Sequence, residues 1–137
     1  MSKPIGYWVK RLDAALEAQL DHTLARMRLS RRQWQALNTL AEASMLPEEL
    51  EEALQPFWGE DVRLRERELA ALVGRGMITM IDDRLVLSGK GRETYHQARR
   101  LVEETRNDLS VGIGIDEYAM AVSVLERMSR NAERLSK

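Results

Sequence analysis

Ile5, Val9, Leu12, Leu16, Leu20 and Leu24 recur at steps of three and four, with Lys10, Asp13, Glu17 and Asp21 between them. Apolar positions at that period line one side of a helix, so the spacing predicts a first helix over residues 5–26. A second is expected to begin after Ser30. Ser30 followed three residues later by Gln33 is a capping-box pattern, in which each side chain satisfies the other residue's free amide. Trp34, Leu37 and Leu40 are the candidate core positions of that helix. Pro47 suits the first turn of a third helix, where its missing N–H costs nothing, and Glu48 and Glu49 complement the dipole there. Pro56-Phe57-Trp58-Gly59 is expected to end it. A fourth helix is expected over residues 61–73, with Val62, Leu69, Leu72 and Val73 on one face and Gly74 and Gly76 at its end.

The pattern then changes. Residues 77–81 and 85–87 read as two short strands about an Asp82-Asp83-Arg84 turn. Ser88-Gly89-Lys90-Gly91 closes the hairpin, and Ser88 is a candidate cap for a long fifth helix over residues 92–109. Tyr95, Ala98, Val102, Thr105 and Leu109 form its stripe. Val111-Gly112-Ile113-Gly114 reads as a loop, and Asp116 as the cap of a last helix carrying Tyr118, Val122, Leu125, Met128, Ala132 and Leu135. The expected fold class is mainly α with a small β-hairpin wing. Three short helices followed by a hairpin make a winged helix-turn-helix, here flanked by long helices.

Composition narrows the function. The 137 residues fit one domain and contain no cysteine. That excludes a disulfide framework, a cysteine zinc site and thiol redox sensing, and it suits a reducing cytoplasm. Residues 1–12 hold no long apolar run, so no signal peptide is expected, and no stretch approaches a membrane span. The formal net charge is −1, but it is unevenly spread. Residues 1–41 carry seven Lys/Arg against three Asp/Glu, residues 42–61 carry seven acidic and no basic residues, and residues 62–106 carry ten basic against seven acidic. Salt screens charges beyond about 8–10 Å, so a basic patch can coexist with a neutral total.

Catalytic and metal chemistry find no constellation. His22 and His96 are isolated, Glu103 and Glu104 are consecutive and face different ways, and no phosphate loop or dinucleotide fingerprint occurs. No catalytic residue, metal or cofactor is therefore expected, and the chain does not read as an enzyme. Nucleic-acid chemistry is better represented. The last short helix of a helix-turn-helix enters the major groove. On the fourth helix Arg63 and Arg67 lie one turn apart, opposite Val62, Leu69 and Leu72, and are candidate contacts to base or phosphate. A solvated face paired with Glu66 and Glu68 is the alternative. Arg65 falls near the core edge of the same helix and ranks below them. Arg84 at the hairpin turn is a candidate minor-groove contact, or else pairs with Asp82 or Asp83. Arg31 and Arg32, opening the second helix, are candidate phosphate contacts.

The order and content of these pieces resemble the MarR family of transcriptional regulators. The resemblance rests on Ile5-Gly6-Tyr7-Trp8-Val9-Lys10-Arg11-Leu12, Leu29-Ser30-Arg31-Arg32-Gln33-Trp34-Gln35-Ala36-Leu37, Leu69-Ala70-Ala71-Leu72-Val73-Gly74-Arg75-Gly76-Met77-Ile78 and Asp83-Arg84-Leu85-Val86-Leu87-Ser88-Gly89-Lys90-Gly91. It implies a homodimer that binds a palindromic operator in double-stranded DNA, acting as a repressor. Residues 1–28 and 89–137 would be the helical dimerisation region, and residues 29–88 the DNA-binding region. It also implies release by a small aromatic or anionic effector, for which Tyr7, Trp8, His22 and Trp34 are the candidate ligand residues. Core or interface anchoring is the alternative for these aromatics. Two features depart from the family: the acidic third helix and the bulky Gln55-Pro56-Phe57-Trp58-Gly59. With the near-zero net charge, the acidic helix keeps open a winged-helix module that binds protein and not DNA.

Overall fold

The computed structural model describes residues 2–59 and 61–137. Its elements are α1 (Ile5–Ala25), α2 (Arg31–Glu42), α3 (Pro47–Trp58), α4 (Val62–Gly74), β1 (Ile78–Ile81), β2 (Arg84–Leu87), α5 (Gly89–Leu109) and α6 (Ile115–Leu135). The chain divides within α5 into two compact units, one ending at Glu103 and one covering Glu104–Lys137. Among the described residues, no helix is long and apolar enough to cross a membrane.

In the first unit the helix starts follow local chemistry. Ser30 Oγ accepts from the Gln33 amide at 3.0 Å, and Gln33 Oε1 accepts from the Ser30 amide at 3.1 Å, completing the capping box of α2. Asp61 Oδ1 accepts from the Leu64 amide at 3.1 Å and caps α4. Pro56 sits inside the last turn of α3, which ends at Gly59 in a left-handed conformation (φ 71°). Asp82 and Asp83 both take positive φ (49° and 64°). Two such residues form the tight hairpin turn whose twist matches the strands. Arg84 is therefore not a turn residue; it opens β2 and pairs with Ile81. Met45, between α2 and α3, adds a bridge to Leu85, its amide donating to the Leu85 carbonyl at 3.1 Å. Helix α5 starts at Gly89, earlier than its apolar stripe predicts, because Ser88 Oγ already accepts from the Gly91 amide at 3.0 Å.

Leu24, Leu37, Leu40, Leu50, Leu54 and Leu72 are fully buried, one or two from each of the first four helices. Each such side chain contributes about 1.5–3 kcal/mol relative to exposure. Ile78, Leu87, Tyr95, Ala98 and Val102 join that core from the hairpin and α5. Trp34 stacks on Tyr95 with ring centroids 5.5 Å apart. Trp58 is buried, and its Nε1 donates to Gln35 Oε1 at 2.8 Å, which fixes the end of α3 against α2. The stripe of α1 divides. Leu24 is buried and Leu20 packs on the core, while Ile5, Val9, Leu12 and Leu16 are exposed. Val62 and Val73, expected on the core face of α4, are also exposed.

In the second unit α6 has no buried residue, and Tyr118, Val122, Leu125 and Met128 are exposed. Its N-cap is Gly114 and not Asp116, which lies in the first turn. Glu117 Oε1 accepts from the Gly114 amide at 3.0 Å. The carboxylate three residues past the cap reaches back to it, whereas that of Asp116 complements the dipole.

Candidate nucleic-acid interface

Helix α4 is held to the rest of its unit at several points. Leu72 is buried in the core. Ser30 Oγ, while capping α2, donates to Glu68 Oε2 at 3.2 Å. At the far end Arg75 Nη1 donates to the Arg28 carbonyl at 2.6 Å, and Nη2 to that of Met27 at 3.3 Å. Arg75 was not singled out by sequence; its partners lie more than forty residues away, so no local spacing marks it. At about 100° per residue, Leu72 and Glu68 define the inner side, and the opposite side carries Arg63, Glu66, Arg67, Ala70 and Gly74. All five are exposed.

The six candidate arginines separate. Arg63 and Arg67 are exposed, and neither is held by a hydrogen bond or ion pair among the described residues. Arg32 is likewise exposed and unheld among them. Arg65 is turned inward and only 9% exposed. Its Nη1 donates to the Gly59 carbonyl at 3.2 Å and its Nη2 lies 3.9 Å from Glu51, so it braces the α3–α4 turn and cannot join the outward pair. Its Nε is buried with no partner among the described residues. Beside it lies an open cleft of about 410 Å³ lined by Glu48, Glu51, Glu52 and Gln55, whose charge suits no phosphate.

Arg31 is also occupied. It grips Asp21 of α1 with Nε at 3.0 Å and Nη2 at 3.1 Å, and its Nη1 lies 3.4 Å from Glu17. The hydrogen bond to Asp21, with the charges of both carboxylates, pushes its pKa further above its usual high value. Arg84 reaches neither the wing tip nor Asp82 or Asp83. Its Nε donates to Ser44 Oγ at 3.1 Å and its Nη2 to the Ser44 carbonyl at 2.9 Å and to Glu49 Oε1 at 3.3 Å. Because it opens a strand beside the α2–α3 connection, it points back into the domain. The exposed wing tip is left with two carboxylates.

Of the four candidate ligand residues, ring contact among the described residues joins Tyr7 to Trp8 and not to His22 or Trp34. Tyr7 and Trp8 form an exposed edge-to-face pair, 5.1 Å between centroids, at the start of α1. Arg11 lies over Trp8 at 5.6 Å. His22 is in the last turn of the same helix, about 21 Å along its axis from Trp8. Trp34 is engaged with Tyr95.

No protein-family model matches the chain. Solved structures match nearly all of it. The reduced form of MarR from E. coli is 21% identical, with a TM-score of 0.72 over 93% of this chain and 95% of that one. The MarR family protein Rv2887 of Mycobacterium tuberculosis, solved in complex with DNA, is 17% identical with a TM-score of 0.75, over 93% and 98% of the two chains. The transcriptional repressor CouR is 27% identical with a TM-score of 0.71 over 93% of each chain. The likeness extends over nearly the whole chain, and the chain has the winged helix-turn-helix fold of the MarR-family transcriptional regulators.

Proposed function

We propose that the protein is a DNA-binding transcriptional regulator, acting as a repressor, that binds a palindromic operator as a homodimer. The observation that carries this reading is the outward face of α4, where Arg63 and Arg67 stand exposed, and unheld among the described residues, on the helix that a helix-turn-helix places in the major groove. Likeness to Rv2887, solved with DNA, supports the same use of the fold. Residues 29–88 form the DNA-binding region, and residues 1–28 and 89–137 the dimerisation region. The apolar faces of α1 and α6 support the second assignment: Leu12 is 52% exposed and Met128 44%. A two-fold dimer covers such faces and sets two copies of α4 about one helical turn of DNA apart, roughly 34 Å, matching a palindrome. Arg63 and Arg67 act from the groove and Arg32 on phosphate. Arg65, Arg31 and Arg84 serve the fold.

The test is selection from a fluorescent genomic-fragment library at low and moderate salt, with the wild type and the Arg63→Ala/Arg67→Ala variant. Enrichment of a palindrome that the variant loses is the expected result. Each phosphate contact contributes about −0.9 to the slope of log K against log salt, so binding weakens steeply as salt rises. An arginine that holds phosphate flattens that slope by about one unit when removed, whereas one that reads guanine costs about 1–3 kcal/mol and relaxes one base position. A folded dimer that enriches nothing at low salt overturns the reading and leaves a protein-binding module.

A further inference from the structure

We propose that Glu66 determines sequence specificity, its carboxylate accepting a hydrogen bond from the exocyclic amine of a cytosine in the major groove. The inference rests on the DNA-reading role of α4 given above and adds the base that the helix selects. Relative to Arg63, the positions of Glu66, Arg67, Ala70 and Gly74 fall within a sector of about 100°. Glu66 is exposed there and makes no ion pair with either arginine among the described residues. It therefore presents a carboxylate at one edge of that face, unpaired among the described residues, and lies between the two guanidiniums in sequence.

That placement is costly unless the carboxylate finds a donor. Phosphates repel it, and an ionised carboxylate can only accept hydrogen bonds. In the major groove, guanine shows two acceptors, and thymine an acceptor and a methyl group. Adenine shows a donor beside an acceptor, and cytosine a donor alone. Glu66 thus favours cytosine over guanine and thymine, which offer it no donor, and over adenine, whose donor has an acceptor beside it, so the selection is partly by exclusion. The neighbouring residues permit the approach. Ala70 and Gly74 continue the same face with almost no side chain, and a Cβ at Gly74 would meet nothing within 4 Å. From Arg63 to Ala70 the helix rises about 10.5 Å, roughly three base-pair steps of 3.4 Å, so the groups face successive pairs of one half-site.

The experiment is selection from random duplex DNA with the wild type, Glu66→Ala and Glu66→Gln, with thermal melts to confirm folding. The expected wild-type motif has one cytosine in each half-site that Glu66→Ala no longer requires, the other positions being retained. Affinity of that variant for the best wild-type site should fall about 5- to 150-fold. Glu66→Gln should move the preference at that position to adenine, which a glutamine amide can pair bidentately. An unchanged motif with affinity raised evenly for all sequences would mean that Glu66 merely repels phosphate, and would overturn this inference while leaving the regulator reading intact. A wild type that selects no sequence overturns both.

Discussion

A single methyl group at Gly91 tests how the wing is joined to the long helix. Gly91 is buried in the first turn of α5 against the backbone of Met77. A Cβ there would lie 2.9 Å from the Met77 carbonyl carbon and 3.1 Å from its Cα, and nearer still to the oxygen. Ordinary carbon contacts are about 3.5–4.0 Å, so the two segments must separate by on the order of 1 Å. Neither yields easily. Gly91 donates to Ser88 Oγ at 3.0 Å, and the Met77 amide donates to the Leu72 carbonyl at 3.0 Å. Overpacking costs about 1–3 kcal/mol, and backbone against backbone, with no side chain to swing aside, belongs at the upper end. Alanine recovers up to about 1 kcal/mol of helix propensity. Gly91→Ala should therefore destabilise by about 2 kcal/mol, lowering Tm by about 6–10 °C for a chain of this size. Urea unfolding followed by tryptophan fluorescence at fixed protein concentration measures it. Gly89→Ala is the control, because a Cβ there meets nothing within 4 Å. If Gly91→Ala is as stable as wild type, or gains as much as Gly89→Ala, the close approach is not a real constraint.

Two further substitutions address the clamps that set α4 and the wing. Arg84→Ala removes the bonds to Ser44 and Glu49 and should cost about 1–2 kcal/mol, with faster hydrogen exchange at the Leu85 amide; lysine, lacking the planar fork, should not restore it. Ser30→Ala removes both the cap of α2 and the bond to Glu68, and should cost about 1–2 kcal/mol in denaturant titration, most of it recovered by threonine.

The sequence by itself determined the elements and their order. Helix stripes, the Ser30–Gln33 box, Pro47 at a helix start and the paired aspartates of the hairpin are signals carried within a few residues, where chain geometry alone decides the outcome. The outward direction of Arg63 and Arg67 followed from the same periodicity, as did the inward lean of Arg65. What only the tertiary structure decided was which arginines are occupied. Arg31 reaches back ten residues to Asp21, Arg84 forty residues to Ser44, and Arg75 nearly fifty to Arg28 and Met27. The single bridge of Met45 to Leu85 was hidden for the same reason. A guanidinium has the same chemistry wherever it occurs in a chain. Whether it meets a carboxylate, a carbonyl or water depends on which distant segments packing brings beside it.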